Sequence, residues 1–334
     1  MNRRHPLFRR LPAFTKRFVS VTVLLGLLSM LSIAGAASAA PGPDLQIQAR
    51  SAFLMDAETG QVLYQNNPDE PLPPASMSKM MTEYLVMKSI REGKLKWDQE
   101  ITVQENAAKQ VGSRIFLAQG DVHTVEQLYI AMAVGSANDA TVQLAESVAG
   151  SEEEFAKLMN ETAKKFGMND SRFINATGLD RADMPDKYRP SFIDGETKMS
   201  ARDAATLAYH ILKEEPEFLK YSSIQKYKFR ARDKQPIDNV NWMLGSNKNV
   251  PALKKFAYEG VDGLKTGHTP NAGNCFTGTA LRNGTRLIAV VMNVPGKTND
   301  GKRFLETAKL FDYGFNNFEK KTVVEGKAAL KGIE

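Results

Sequence analysis

Cysteine is almost missing from this 334-residue chain: Cys275 is the only one. No internal disulfide can form, so the core must stand without covalent staples. A lone thiol can be a nucleophile. Its setting, Gly273-Asn274-Cys275-Phe276-Thr277-Gly278, reads instead as a strand of small residues, and buried filler is the better reading. Histidine is scarce too. His5, His123, His210 and His268 include no pair at ligand spacing, which argues against a metal site, and no cofactor is expected.

An excess of one charge is also lacking once the N-terminus is set aside. The chain has 44 basic and 38 acidic residues. Six of the basic ones (Arg3, Arg4, Arg9, Arg10, Lys16, Arg17) fall in the first 39 residues, which hold no acidic residue, so the remainder is balanced at 38 against 38. The pI of 9.1 therefore gives no reason to expect nucleic-acid binding. Long apolar runs are confined to Phe18 to Ile33. That run follows the basic head and precedes Ala34-Gly35-Ala36-Ala37-Ser38-Ala39-Ala40-Pro41. This is the pattern of a secretory signal peptide, residues 1–39, cut after Ala39 or alternatively Ala36. An uncleaved transmembrane anchor is the other reading of so long a stretch. The chain is thus expected to be exported across the cytoplasmic membrane, to the periplasm or cell-wall space.

What is present is a globular pattern, with 42% hydrophobic and 25% charged residues. Residues 52–56 and 62–65 read as a hairpin across Ala57-Glu58-Thr59-Gly60. A loop rich in Asn, Pro and Asp then leads to Ser76, and 77–92 has helical periodicity. The middle, 95–225, is mostly helical. Helices are expected at 124–133, opened by a Thr-Val-Glu-Gln cap, at 138–148, at 151–166 behind Ser-Glu-Glu-Glu, and from Ser200 to about Leu212. Residues 176–198 are irregular. Two strands, 273–281 and 285–294, flank Arg282-Asn283-Gly284, a strong hairpin signal, and a last amphipathic helix spans 300–315. Strands at both ends around a helical middle predict an α/β (α+β) fold. One antiparallel sheet built from the two chain ends is flanked by helices, with a mostly helical inserted subdomain.

Ser76-Met77-Ser78-Lys79 carries the chemistry. On a helix, positions i and i+3 share a face, so Lys79 can take the proton of Ser76, a poor nucleophile without a base. Alone, the pattern is weak and reads first as an N-cap serine followed by a solvated lysine. Ser136-Ala137-Asn138 sits at a turn between two helices, and Lys265-Thr266-Gly267 just before the late hairpin. Each alone is a common turn or strand end. This trio, in this order, is the signature of penicillin-binding proteins and serine β-lactamases.

With Met55 to Tyr64, Pro74 to Thr82, Gly178-Leu179-Asp180, Ser200 to Asp203 and Gly263 to Thr269, the chain resembles the low-molecular-mass penicillin-binding proteins. These are serine-type D-alanyl-D-alanine carboxypeptidases with a β-lactamase/transpeptidase-like fold. The resemblance covers residues 45–318, the expected catalytic domain. It implies that Ser76 attacks the carbonyl between two D-alanines of a peptidoglycan stem peptide, that Lys79 is the base, and that Ser136 helps protonate the leaving amine. Lys265 and Thr266 would hold the substrate carboxylate and Asn138 its amide, with Gly267 of the same motif also among the substrate-binding residues. The backbone N–H groups of Ser76 and His268 would hold the oxyanion. Arg202 and Arg303 are carried over as substrate-binding residues, with structural ion pairs as the alternative. The His268 ring is not expected to form a Ser-His-Asp triad, since Lys79 fills the base role.

β-Lactam antibiotics are implied as covalent inhibitors. A class A β-lactamase would need a Glu-x-x-x-Asn element. Glu152-Glu153-Glu154 has no asparagine four residues on, so slow release of penicillin is expected. Cross-link endopeptidase activity and a non-catalytic wall-binding role remain alternatives. Residues 319–334 read as the start of a further β-rich domain. No membrane anchor is seen, and attachment to a membrane surface stays open.

Overall fold

The computed structural model describes residues 43–321. The expected signal peptide, 1–39, lies outside them, as does 319–334 beyond residue 321. From Asp44 onward the described chain is one compact unit. Its sheet has five antiparallel strands: β1 (Ser51–Asp56), β2 (Val62–Asn66), β3 (Val261–Thr269), β4 (Gly273–Arg282) and β5 (Thr285–Val294). Across the sheet their order is β2-β1-β5-β4-β3. Phe53 lies opposite Val290 and Leu54 opposite Ala289, so the first strand of the chain pairs with the last. The expectation of one sheet built from both chain ends holds.

β1 is buried at all six positions because both faces of the sheet are covered, and the two-residue period of a strand divides its side chains between them. Phe53, Met55, Ile288, Val290 and Met292 join the core under the helices. Ala52, Leu54, Leu287, Ala289 and Val291 pack with Phe304, Leu310 and Phe311 on the C-terminal helix, α6 (Lys302–Asn317).

The remaining long helices are α1 (Lys79–Arg91), α2 (Val125–Gly135), α3 (Asn138–Ala149), α4 (Glu152–Lys165) and α5 (Ala201–Glu214). Their starts follow the sequence. Thr124 and Gln127 close a reciprocal capping box. Ser151 accepts the N–H of Glu154, and Ser200 accepts that of Asp203.

Two expectations change. The helix read over 77–92 does not run unbroken, because residues Ala75–Ser78 form a 3-10 turn and α1 begins at Lys79. A 3-10 turn repeats every three residues, so it aligns i with i+3 more closely than an α-helix does. Lys265-Thr266-Gly267, read as lying just before a hairpin, sits in the middle of the nine-residue edge strand β3.

Candidate active site

Three elements meet at one end of the sheet. The turn carrying Ser76 is pressed between two glycines. A Cβ on Gly267 of β3 would stand 2.3 Å from the carbonyl oxygen of Pro74. One on Gly178, whose φ is +78°, would stand 1.9 Å from that of Ala75. No other residue allows the turn to lie this close on both sides. Gly178 belongs to a turn organised by Asn175, whose side chain accepts the N–H groups of Thr177 (3.1 Å) and Gly178 (2.7 Å). That turn aims the Thr177 carbonyl at Lys79.

Lys79 is fully buried. Its Nζ lies 2.9 Å from Ser76 Oγ, 2.7 Å from Asn138 Oδ1 and 2.9 Å from the Thr177 carbonyl oxygen. Asn138 is fixed in orientation because its Nδ2 donates to the Val111 carbonyl (2.6 Å). Two of the three partners can therefore only accept. A neutral amine donates its two N–H bonds to those two and turns its lone pair to the third, the Ser76 hydroxyl. The amine is disposed to be neutral: burial and then the charge of Lys265 push its pKa well below the ordinary lysine value, against the opposing pull of Glu83, Glu152 and Asp139.

Ser136 and Lys265 form the facing wall. Ser136 ends α2 in the left-handed region at φ 57°, an uncommon conformation for serine. Its Oγ accepts from Lys265 Nζ at 2.8 Å, which leaves the hydroxyl proton free to be donated. Lys265 also donates to the Thr266 carbonyl (3.2 Å). Burial lowers its pKa to about 8, with Glu83 pulling upward and Arg303 pushing downward.

The resulting cavity, about 260 Å³, is lined by Ser76, Ser136, Thr266, Gly267, His268 and Arg303, together with Ser113, Trp242, Thr298 and Phe304. No carboxylate is among its described lining residues. A larger hollow of about 680 Å³ around Gln104, Gln143 and Glu146 has no serine–lysine pair among its described lining residues.

His268 Nδ1 lies 3.1 Å from the Gly273 carbonyl oxygen, and Nε2 lies 2.8 Å from Thr298 Oγ1. A carbonyl only accepts, so Nδ1 carries the proton and Nε2 accepts from the Thr298 hydroxyl. Both ring nitrogens are engaged away from Ser76. The backbone is better placed. The Gly267 carbonyl accepts from Arg303 Nη1 at 2.8 Å, and in a planar trans peptide the His268 N–H points the opposite way.

The two arginines part company. Arg303 is buried at the cleft, but its guanidinium also grips the Cys275 and Thr298 carbonyls and Asn274 Oδ1. It braces the strands that carry the site. Arg202 is not brought to the cleft, which corrects the expectation of a substrate-binding role. It pairs with Asp69 and Gln65 near the opposite edge of the sheet and lies over the Phe53 ring. A nearby carboxylate in the loop before Ser76 claims its fork first. Cys275 is buried, as expected.

Sequence reasoning missed the Thr177 carbonyl, Ser113 and Trp242. A backbone acceptor leaves no residue-type signal, and the other two reach the cleft only through folding of distant loops.

Comparison with known proteins shows the family. The family profile described as D-alanyl-D-alanine carboxypeptidase, peptidase S11, matches residues 35–296. The chain is 37% identical over 309 residues to D-alanyl-D-alanine carboxypeptidase DacF of Bacillus subtilis (strain 168), covering 91% of this chain and 72% of that one. A similar solved structure is a peptidoglycan synthesis regulatory factor (PBP3) from Streptococcus pneumoniae. It has a TM-score of 0.73 and 33% identity, over 80% of this chain and 73% of that one. Another is penicillin-binding protein D2 from Listeria monocytogenes in the ampicillin-bound form, with a TM-score of 0.66 and 33% identity, over 82% of this chain and 99% of that one.

Proposed function

This chain belongs to the family of serine-type D-alanyl-D-alanine carboxypeptidases, and we propose that it removes the terminal D-alanine of peptidoglycan stem pentapeptides through an acyl-enzyme on Ser76. Residues 45–318 form the catalytic unit in this reading. Lys79 accepts the Ser76 proton as the oxygen adds to the carbonyl carbon. The N–H groups of Ser76, in the partnerless first turn of its helix, and of His268 receive the oxyanion. The C–N bond then breaks. The leaving D-alanine nitrogen takes a proton from the Ser136 hydroxyl, which Lys79 replenishes with the proton it took from Ser76. Lys265 and Thr266 hold the terminal carboxylate and Asn138 the amide. Water, deprotonated by the now neutral Lys79, hydrolyses the ester and frees Ser76.

Peptidoglycan lies outside the cytoplasmic membrane, so the enzyme works there and is exported to reach it. No helix among the described residues is long and apolar enough to cross a membrane. β-Lactams, which present a strained amide and a carboxylate as the stem terminus does, acylate the same serine. With no carboxylate among the described residues that line the cleft to activate a deacylating water, their release is slow.

The observation that carries this reading is the contact of Lys79 Nζ with Ser76 Oγ, with the amine's other N–H groups held by acceptor-only partners. The test is D-alanine release from a Lys-D-Ala-D-Ala peptide, together with labelling by a fluorescent penicillin. Both are expected in the wild type and lost in Ser76→Ala. A wild-type protein that releases no D-alanine and takes no label overturns the reading.

A further inference from the structure

Behind the two lysines lies a carboxyl group that the reaction above does not use. Glu83 follows Lys79 by one turn of α1 and is 1% exposed. Neither of its carboxylate oxygens has a hydrogen-bond partner among the described residues. A carboxylate so dehydrated is costly unless opposite charge compensates it. The compensating groups are the two lysines of the cleft: Lys265 on β3 first, Lys79 second. From α2, the buried Tyr129 hydroxyl also faces it, likewise without a partner. Glu152 on α4 and Asp139 on α3 act on Lys79 rather than on Glu83, and Arg303 on α6 acts on Lys265.

Two buried lysines and one free carboxylate can hold one compensated ammonium but not two. The reaction needs that division. Lys265 must be charged to attract a carboxylate substrate, and Lys79 must be neutral to accept the Ser76 proton.

We propose that Glu83 is a positioning residue for the carboxypeptidase reaction, the internal counter-charge that keeps Lys265 an ammonium so that Lys265 in turn keeps Lys79 neutral. This rests on the assignment of Ser76, Lys79 and Lys265 above. No bond to Glu83 is made or broken. Its carboxyl is pushed up to about 7 by burial and held down by the two lysines, so it shares its proton balance with Lys265 across the neutral range.

The test is the pH profile of kcat/KM on the Lys-D-Ala-D-Ala peptide. In Glu83→Gln the falling limb, set by loss of charge on Lys265, moves to lower pH by about one unit. At a fixed pH near the wild-type limb, KM rises several-fold while kcat changes less. Glu83→Asp, which keeps the charge, leaves the limb near its wild-type place. A limb that stays put in Glu83→Gln, or a uniform loss at every pH, makes Glu83 merely structural and overturns the proposal. So does an Asp variant that behaves as the Gln variant does.

A second measurement needs neither activity nor a Glu83 variant. The Glu83 carboxyl, followed by carbon-13 NMR, is expected to titrate about one pH unit higher in Lys265→Met than in the wild type. An unchanged midpoint overturns the proposal. Absence of penicillin labelling in a wild type that passes this NMR test would instead fault the serine assignment.

Discussion

The two edges of the sheet handle charge in opposite ways. At the β2 edge the ions are wet: Arg202 meets Asp69, Arg50 meets Glu70 and Lys320 meets Glu58, with substantial exposure on at least one side of each pair. At the β3 edge Lys265, Lys79 and Glu83 are sealed from water, and no pair among them forms a direct salt bridge. Wet pairs change little in free energy when broken. Dry, uncompensated charges change their protonation instead. The same residue types thus anchor one edge and are made reactive at the other.

The sharpest way to break this contrast is to remove the base. Lys79→Gln keeps a polar side chain in the cavity but no lone pair of comparable basicity. Acylation by penicillin and D-alanine release are both expected to fall by on the order of 10²- to 10⁴-fold. The wild-type profile carries the sign of the two buried lysines. The base form of Lys79 exists above its lowered pKa, so activity rises with pH through a limb well under the ordinary lysine value. The charged form of Lys265 exists below about 8, so activity falls again as pH passes that point. A profile still rising at pH 10 would show that dehydration does not set these groups, and the contrast between the edges would lose its basis.

A smaller effect should come from the backbone that brings the walls together. Gly267→Ala puts a methyl 2.3 Å from the Pro74 carbonyl oxygen, which is backbone and cannot swing aside. The Ser76 turn must retreat from β3. Overpacking of this kind costs about 1–3 kcal/mol, and a shift approaching 1 Å between nucleophile and oxyanion donors costs about 10²-fold in rate. The expected signature is a lowered Tm together with slow acylation, while Lys79 keeps its acid limb. Thermal unfolding and penicillin acylation rates at two pH values check it.

The sheet and most helices were legible in the sequence because their signals are local. Alternation marked β4 and β5, the Asn-Gly turn joined them, and Thr124, Ser151 and Ser200 announced the helices they cap. The three motifs singled out Ser76, Ser136 and Lys265, and the structure brings these residues together at one cleft. Hidden from that reading was whatever depends on two distant segments touching. β3 was obscured because Gly263 and Gly267 interrupt its strand pattern, and those glycines are needed for close packing rather than for strand formation. Glu83 belongs to none of the motifs, and only its burial on all sides gives it meaning. Arg202 shows the converse error: its motif, Ser200-Ala201-Arg202-Asp203, matches the family, but a motif does not say which carboxylate its arginine will meet.

The smallest expected effect therefore falls on Arg202. Its pair with Asp69 is exposed by more than a third on each side, so the Coulomb gain is screened and partly offset by the entropy of ordering two side chains. Its guanidinium also covers the Phe53 ring, with the carbon 5.1 Å from the ring centroid, a contact worth about 0.5–1 kcal/mol at such a site. Arg202→Ala is expected to lower stability by about 1 kcal/mol in denaturant titration and to leave kcat/KM within about twofold. Arg303→Ala, in contrast, uncovers the Gly267 and Cys275 carbonyls in a buried site, and each unpartnered buried acceptor costs about 1–3 kcal/mol. A large catalytic loss in Arg202→Ala, with stability unchanged, would mean that the β2 edge takes part in the reaction after all. Two arginines of equal formal charge would then differ in role for a reason other than their hydration.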